Sequence, residues 1–333
     1  MTTTDGRTLV ESPDNGTVVV TGRLPQPALE ALRAAHQVDP WDSEELIPRE
    51  ELLRRVRGAR ALVTLVTERV DTALLDAAGP QLRVVANVAV GHDNVDVPAC
   101  RERGVMVTNT PGVLTDATAD LAMALVLMAS RRLGEGERLV RSGQPWRWSM
   151  SLLLGRGLQG RTLGVVGLGE IGRATARRAR AFGMRITYSS RSPADPGVVE
   201  DLGARRLPLE ELLATADVVS LHCPLTPETR HLVGAEQLAL MRSTAYLVNT
   251  ARGPVVDEEA LVDALRAGSI AGAGLDVYED EPRVHPGLLE LDTVVLLPHL
   301  GSATEETRCA MAERAATNVL AVLSGGQPPN PVA

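Results

Sequence analysis

Residues 163–173 have the sequence LGVVGLGEIGR, in which an apolar run leads into a Gly-x-Gly-x-x-Gly pattern. Gly167 would permit a tight turn, Gly169 would let a ligand approach the backbone, and Gly172 would let helix and strand pack closely. The apolar run predicts a strand, and residues 174–182 predict a helix. A helix that begins at such a turn presents free N–H groups and a positive dipole end to phosphates. The segment therefore predicts a dinucleotide site formed by Gly167, Gly169, Glu170, Ile171 and Gly172.

The next predicted strand, residues 185–188, indicates which dinucleotide is bound. An acidic residue at its end would hold the ribose 2′-hydroxyl of NAD, whereas arginine accommodates the 2′-phosphate of NADP. Residues 189–192 have the sequence SSRS, and no acid occurs before Asp195. Hydroxyl groups and a guanidinium suit a phosphate dianion. We therefore expect NADP(H) to be preferred through Ser190, Arg191 and Ser192, with NAD(H) possible if this turn is only solvated.

Short β-branched runs alternate with helical patterns on both sides of the glycine turn. This alternation is typical of βαβ units around parallel sheets. Two series occur, separated by an apolar helix predicted at residues 121–132. We expect an α/β fold of two Rossmann-like, doubly wound parallel-sheet domains with a cleft between them. Proline and glycine near residues 110 and 298 mark the crossings, which gives a discontinuous substrate domain of residues 1–110 plus 299–333 and a dinucleotide-binding domain of residues 111–298.

Three short motifs each follow a predicted strand, at the end where open parallel sheets place their ligands. They are VNTARG at residues 248–253, GLDVYEDEP at 274–282 and LPHLGSAT at 297–304. Arg252 suits a 2-keto acid, because a guanidinium clamps a carboxylate or carbonyl. His299 suits proton transfer to the keto oxygen, since histidine titrates near neutral pH. A carboxylate on its other ring nitrogen would favour the imidazolium, and spacing alone leaves Glu279, Asp280 and Glu281 as candidates.

The composition excludes several other function classes. A formal net charge of −8 argues against long-range attraction to nucleic acid or to an anionic membrane. All 34 residues counted as Lys or Arg are arginine, which excludes Schiff-base catalysis by lysine and a P-loop. Cys100, Cys223 and Cys309 share no metal-ligand spacing, and residues 1–15 contain no signal-peptide core. We expect a reduced cytoplasmic protein without a metal, a membrane span or a nucleic-acid partner.

These motifs, in this order, resemble the D-isomer-specific 2-hydroxyacid dehydrogenase family from about residue 18 to residue 323. The sequence NTPGVLTDATAD at residues 109–120 is most similar to the glyoxylate/hydroxypyruvate reductase branch. The resemblance implies NAD(P)H-dependent reduction of a small 2-keto acid to a D-2-hydroxy acid. It implies Arg252 as substrate anchor, His299 as acid/base and Glu281 as the partner of the histidine. Ser189 departs from the family, which usually has an acid there, and this departure argues against a preference for NAD.

The resemblance also implies where the ligands bind. The substrate carboxylate would rest on backbone N–H groups of Val90 and Gly91, within the sequence NVAVGHDN at residues 87–94. Asp276 would face the nicotinamide carboxamide. The other cofactor-binding candidates lie within or beside the quoted motifs and are Thr118, His222, Pro224, Thr250, Ala251 and Gly301.

Other functions remain open. One is a different 2-hydroxyacid dehydrogenase, such as D-3-phosphoglycerate dehydrogenase, and another is an NAD(H)-sensing, corepressor-like protein that binds partners. Arg252, Glu281 and His299 favour catalysis, because a pure binding protein needs no proton donor. We also expect a homodimer, since the apolar helix and the Trp-bearing segment within residues 121–148 have a composition typical of interfaces.

Overall fold

The computed structural model describes residues 16–332, so the polar segment of residues 1–15 lies outside the described residues. The chain divides into two compact units, one with residues up to Val113 and from Glu305 onward, the other with Leu114–Thr304. This division differs from the predicted domain bounds by a few residues, because residues 111–113 lie in the first unit and residues 299–304 in the second. His299 stays with the second unit because its backbone N–H donates to the carbonyl oxygen of Asp276 at 2.9 Å.

The first unit is built on a five-stranded parallel sheet with the order β2-β1-β3-β4-β5. Its strands are β1 (Val18–Val20), β2 (Val38–Pro40), β3 (Ala61–Thr64), β4 (Val84–Asn87) and β5 (Met106–Thr108). Its helices are α1 (Gln26–Arg33), α2 (Arg49–Arg55), α3 (Thr72–Ala78), α4 (Val97–Glu102) and α13 (Glu305–Leu323). Strands β1, β3 and β4 are buried throughout, which explains their consecutive apolar residues. Helix α13 returns to this unit and packs against α1, β3 and β4.

The second unit is built on a seven-stranded parallel sheet with the order β12-β11-β10-β9-β6-β7-β8. Its strands are β6 (Thr162–Val166), β7 (Arg185–Ser189), β8 (Arg205–Arg206), β9 (Val218–Leu221), β10 (Tyr246–Asn249), β11 (Gly272–Leu275) and β12 (Val294–Leu296). Its helices are α5 (Thr115–Ser130), α6 (Leu133–Arg141), α7 (Glu170–Ala181), α8 (Pro196–Leu202), α9 (Leu209–Thr215), α10 (Ala235–Leu240), α11 (Glu258–Arg266) and α12 (Pro286–Leu289), with a 3-10 turn at Gly253–Val255. The apolar helix predicted at residues 121–132 is α5, which packs against α7, β10 and β11.

The strand order of the second unit reverses at β6, with β7 on one side and β9 on the other. Ligands of open parallel sheets bind beyond the carboxyl ends of the strands at such a switch point. The glycine turn follows β6, the SSRS sequence begins at the last residue of β7, and the VNTARG motif continues from β10. The fold therefore brings the predicted cofactor and catalytic motifs to one edge of one sheet.

No helix within residues 16–332 is both long and apolar enough to cross a bilayer. No group of histidine, cysteine and acidic side chains in the same range is arranged to hold a metal ion.

Candidate active site

The glycine turn after β6 has no room for side chains at two of its positions. Gly167 has φ +93°, and a Cβ atom there would lie 2.8 Å from backbone atoms of His222 and Cys223. A Cβ atom on Gly172 would lie 2.2 Å from the carbonyl oxygen of Gly167. A Cβ atom on Gly169 would meet nothing within 4 Å. The turn is therefore closely packed, with open space in front of the backbone at Gly169.

Helix α7 begins directly at this open space. Gly169 is its N-cap residue, and no side chain caps the first turn. Glu170 is exposed and accepts a hydrogen bond from Oγ1 of Thr115 at 3.3 Å, and Ile171 is half-buried. An uncapped helix of 12 residues offers N–H groups and a positive dipole end to a pyrophosphate. The turn and the helix thus fit a dinucleotide.

Two buried polar atoms indicate a ligand at the same edge of the sheet. Nδ1 of His222, after β9, and Oγ1 of Thr250, after β10, have no hydrogen-bond partner among the described residues. Nε2 of His222 is 2.8 Å from Oγ of Ser220. Burial lowers the pKa of His222 to about 4, so its ring is neutral at pH 7. Because buried polar atoms normally find partners, these two atoms fit a bound dinucleotide that would supply them.

The turn after β7 presents an exposed arginine between two serines. Oγ of Ser190 donates to the carbonyl oxygen of Ser192 at 2.7 Å, which closes the turn. Arg191 is exposed, and no carboxylate oxygen in the described range lies within 4.0 Å of its guanidinium. Arg191 therefore forms no ion pair within residues 16–332, although its charge acts on the nearby carboxyl of Glu228.

Arg252 lies on a short loop after β10 that the buried side chain of Asn249 fixes. Nδ2 of Asn249 donates to the carbonyl oxygen of Arg252 at 2.9 Å, and Oδ1 accepts from the N–H of Ala251 at 3.0 Å. Gly253 lets this loop approach the next motif, because a Cβ atom there would lie 1.8 Å from the carbonyl carbon of Tyr278. Asn249 and Gly253 thus bring Arg252 close to the GLDVYEDEP motif.

His299 and Glu281 are in direct contact. Nδ1 of His299 is 2.7 Å from Oε2 of Glu281. The second carboxylate oxygen of Glu281 accepts the backbone N–H of Tyr278 at 3.0 Å, which orients the carboxylate. With Nδ1 bound to Glu281, Nε2 of His299 is the ring nitrogen available to a substrate.

The two other acidic candidates have different partners. The carboxylate of Glu279 binds Nε2 of His231, and its backbone N–H donates to Glu258 at 2.8 Å. Asp280 forms an ion pair with Arg283. Of the three acids that the spacing left open, the structure places Glu281 on His299.

The charge of Glu281 follows from its surroundings. Burial raises the pKa of this carboxyl, but the hydrogen bond and charge of His299, the N–H of Tyr278 and the charge of Arg252 outweigh burial and hold that pKa below its ordinary value. Glu281 is therefore a carboxylate at neutral pH. A carboxylate at Nδ1 fixes the orientation of the His299 ring, which leaves Nε2 as the nitrogen that can exchange a proton with a substrate.

Asp276 holds the backbone that carries His299. His299 has φ +54°, in a region that residues other than glycine rarely adopt and that costs about 1–3 kcal/mol. The carboxylate of Asp276 accepts the N–H groups of Leu300 at 2.7 Å and Gly301 at 2.8 Å. Burial of this carboxylate raises the pKa of Asp276. Sequence reasoning placed Asp276 against the nicotinamide, which stays a prediction, and missed its hold on the His299 loop.

The remaining predicted cofactor residues lie in the second unit, near the same strand ends. Pro224 follows β9, and Thr250 and Ala251 follow β10. Thr118, in the first turns of α5, lies close to Gly301, since a Cβ atom on Gly301 would be 3.4 Å from Cγ2 of Thr118. Their contacts with a cofactor stay predictions.

In the first unit, three successive carbonyl groups of the loop after β4 accept hydrogen bonds from neighbouring residues. The carbonyl oxygens of Ala89, Val90 and Gly91 accept, respectively, the N–H of Thr110, Nδ2 of Asn109 and Nδ2 of Asn87, each at 2.8 Å. The N–H groups of Val90 and Gly91 donate to no acceptor within residues 16–332. A loop whose carbonyls are bound and whose successive N–H groups are free attracts anions.

Sequence reasoning named Val90 and Gly91 but missed the two asparagines that orient them. Asn87 ends β4, and Asn109 directly follows β5, the neighbouring strand. An asparagine at the carboxyl end of each of two adjacent predicted strands was the signal that could have identified them.

Comparisons with known proteins show which family this chain resembles. Residues 123–301 match the family model described as D-isomer specific 2-hydroxyacid dehydrogenase, NAD binding domain. The chain is 51% identical over 317 residues to a glyoxylate reductase of Thermococcus onnurineus, with 94% of each chain covered. It is 50% identical over 319 residues to a glyoxylate reductase of Aeropyrum pernix, again with 94% of each covered.

A solved structure gives the same result. The fold matches an NADPH-dependent glyoxylate/hydroxypyruvate reductase from Sinorhizobium meliloti, crystallised with NADP and malonate, with a TM-score of 0.82 and 36% identity over 96% of this chain and 97% of that one. The chain therefore belongs to the D-isomer-specific 2-hydroxyacid dehydrogenase family and is a nicotinamide-dependent oxidoreductase acting on CH–OH groups. The resemblance inferred from the motifs and the expected pair of parallel-sheet α/β domains are both confirmed.

Proposed function

We propose that this chain reduces glyoxylate, hydroxypyruvate and similar small 2-keto acids to D-2-hydroxy acids, with His299 as the proton donor. The observation that carries the proposal is the contact of 2.7 Å between Nδ1 of His299 and Glu281. The charge of Arg252 acts on the same carboxylate. The glycine turn of the same sheet supplies a place for the cofactor.

The proposed reaction transfers a hydride and a proton, and the protein residues supply the proton. Reduction of a keto group needs a hydride at carbon, which the reduced nicotinamide supplies when it is bound, and a proton at oxygen. Nε2 of the His299 imidazolium donates that proton, and Glu281 stabilises the charged ring before transfer. Arg252 holds the carboxylate or polarises the keto oxygen with its guanidinium. In the reverse direction, neutral His299 accepts the hydroxyl proton.

The substrate carboxylate is assigned to the loop after β4. The free N–H groups of Val90 and Gly91 suit an anion, and their carbonyls are held away by Asn109 and Asn87. Because the donors belong to the backbone, they would bind the carboxylate common to all 2-keto acids and leave the rest of the substrate to be selected elsewhere.

The cofactor is assigned as NADP(H), bound through Ser190, Arg191 and Ser192. The exposed guanidinium of Arg191 and the absence of an acid at residue 189 support this assignment. A similar reductase from Sinorhizobium meliloti has been crystallised with NADP. Charge-assisted bonds to the 2′-phosphate are the strong contacts in such a site.

A substrate panel tests the proposed reaction. Glyoxylate, hydroxypyruvate, 2-ketogluconate, pyruvate and phosphohydroxypyruvate are each mixed with purified protein and NADPH or NADH, and oxidation of the cofactor is followed by absorbance. We expect the highest kcat/KM for glyoxylate or hydroxypyruvate with NADPH. The highest value with phosphohydroxypyruvate would instead indicate a phosphoglycerate dehydrogenase, and no turnover of any substrate would support the corepressor-like alternative.

A homodimer is proposed from the surface that follows α5. Several large apolar side chains of this segment are exposed, namely Leu133, Val140, Trp146, Trp148 and Met150. Trp148 is 76% exposed, and aromatic residues and methionine are enriched in interfaces. Light scattering at micromolar concentration should give a mass near twice 35.4 kDa, whereas a mass near 35.4 kDa would contradict the dimer.

A further inference from the structure

Arg206 reaches the turn after β7 from the neighbouring edge strand. Strand β8 pairs in parallel with β7, and Arg206 lies opposite Tyr188, two positions before Ser190. Its Nη2 donates to the carbonyl oxygens of Ser190 at 2.8 Å and Arg191 at 2.9 Å. One exposed guanidinium therefore holds the backbone of two of the three residues assigned to the cofactor.

The positive charge of Arg206 is left uncompensated. Within the described residues no carboxylate oxygen lies within 4.0 Å of it, and its side chain makes only the two carbonyl contacts. A guanidinium has five N–H donors, and the two on Nη2 are enough for those contacts. The donors on Nε and Nη1 remain available beside the turn.

The adjacent arginine on the same strand behaves differently. Arg205 is also exposed, but its guanidinium forms an ion pair with Glu211 at 2.5 Å. A nearby acid, Glu228, is influenced by Arg191. The hydrogen bond from Thr226 and the charge of Arg191 hold the pKa of Glu228 below its ordinary value. Of the two β8 arginines, the one without a carboxylate partner is the one at the cofactor turn.

We propose that Arg206 is a specificity-determining residue that favours NADP(H) over NAD(H), by fixing the Ser190–Arg191 backbone and adding a second positive charge beside the 2′-phosphate. This inference rests on the proposed binding of the dinucleotide ribose at Ser190, Arg191 and Ser192. By taking the two carbonyl oxygens, Arg206 turns their negative ends away from an incoming phosphate. Its charge acts on a phosphate dianion but hardly on the uncharged 2′-hydroxyl of NAD.

The test compares Arg206→Gln with Arg205→Gln, which changes the net charge by the same amount on the same strand. Calorimetry measures the Kd of the full-length protein for NADPH, NADH, adenosine 2′,5′-bisphosphate and AMP. We expect Arg206→Gln to weaken NADPH and the bisphosphate about three- to tenfold, as for a partly screened charge contact. NADH and AMP should stay within about twofold of wild type. Arg205→Gln should change none of the four by more than that.

Arg206→Lys and the salt dependence sharpen the result. Lysine keeps the charge but cannot reproduce the planar clamp on two carbonyls, so it should restore NADPH binding only in part. The difference in NADPH affinity between wild type and Arg206→Gln should shrink as the salt concentration rises from about 0.05 to about 0.5 M, because salt screens the charge of Arg206.

Several results would overturn the inference. Equal weakening of NADPH and NADH binding by Arg206→Gln would indicate that Arg206 has only a structural role. Equal effects of Arg205→Gln and Arg206→Gln on NADPH binding would indicate a nonspecific effect of surface charge. An unchanged NADPH to NADH ratio in Arg206→Gln would also contradict it. The proposed cofactor preference is judged separately, by the same ratio in wild-type protein, so the two can fail independently.

Discussion

The loop after β4 and the Arg252–Glu281–His299 group present their hydrogen-bond donors in opposite ways. In the loop, the donors are backbone N–H groups of Val90 and Gly91, and side chains act only behind them, on the carbonyls. In the Arg252–Glu281–His299 group, the proposed donors are side chains, and the side chains of Asn249 and Asp276 hold the backbone that carries them. The two regions should therefore respond to mutation in opposite ways.

The two regions differ in whether substituting the donor residue itself, or the residues that support it, removes the hydrogen bond. A backbone donor survives almost any substitution of its own side chain but depends on the residues that orient the peptide. A side-chain donor is lost with its own substitution and is only displaced when its support is changed. Four substitutions test this contrast.

The largest effect is expected for His299→Ala. The variant should reduce its best substrate about 10²–10⁴-fold more slowly in kcat, the usual contribution of a general acid. The Kd for NADPH should change little, because the histidine is assigned to proton transfer. Steady-state rates and calorimetry measure both. Wild-type turnover by His299→Ala would place the proton donor elsewhere.

Glu281→Gln should have a smaller effect. Glutamine keeps the size of the side chain but removes the charge that faces Nδ1 of His299, so kcat for reduction should fall about ten- to hundredfold, as for the loss of a charge-assisted hydrogen bond of roughly 1.5–3 kcal/mol. Steady-state rates measure this loss, and the Kd for NADPH should stay close to that of wild type. An unchanged kcat would show that Glu281 does not support the proton donor.

The same carboxyl links the pair to stability. The pKa of Glu281 is held below its ordinary value, so its contribution to the free energy of unfolding is present above the ordinary pKa and is lost as pH falls through the lowered one. Urea unfolding of wild type and Glu281→Gln should therefore converge on acidification toward pH 3.

Asn109→Ala tests the loop through its support. Removing Nδ2 frees the carbonyl of Val90 to rotate and should raise the KM for glyoxylate by about three- to tenfold, a fraction of the 1–3 kcal/mol of an unpaired buried group. The KM for NADPH and the melting temperature serve as controls. An unchanged KM for glyoxylate in a folded variant would show that binding of the substrate carboxylate does not depend on this loop.

The smallest effect is expected for Val90→Ala, which keeps the N–H that is assigned to the carboxylate. Its KM for glyoxylate should stay within about threefold of wild type, because only methyl groups of a half-buried side chain are lost. A larger effect than that of Asn109→Ala would reverse the contrast between the two regions.

The buried parts of the fold were predictable because burial leaves a pattern. The runs VVV in β1 and ALVT in β3 are apolar throughout or nearly so, as is typical of strands buried within a parallel sheet. The edge strands β2 and β8 were missed, since their sequences VDP and RR are exposed or half-buried. Helix α5 starts at Thr115, six positions before the predicted residue 121. The prediction began too late because the first turns of the helix are not uniformly apolar.

The candidate site follows the same division. Arg252, Glu281 and His299 stand in motifs that carry the side-chain chemistry itself, so the sequence identifies them. Asn109 and Arg206 act through carbonyl groups 19 and 15–16 residues away along the chain. The position of Asn109 after a predicted strand was a signal in the sequence, but for Arg206 only the pairing of β8 with β7 reveals the contact.

The central claim, that the Glu281-bound imidazolium of His299 gives the proton, is tested most directly by single-turnover rates measured across pH in both directions. Wild-type protein should reduce glyoxylate fastest at low pH and more slowly as pH rises, because reduction consumes a proton from the donor, while oxidation of the 2-hydroxy acid shows the opposite trend. His299→Ala should lose both trends. Parallel trends for reduction and oxidation, or trends that persist in His299→Ala, would contradict the account.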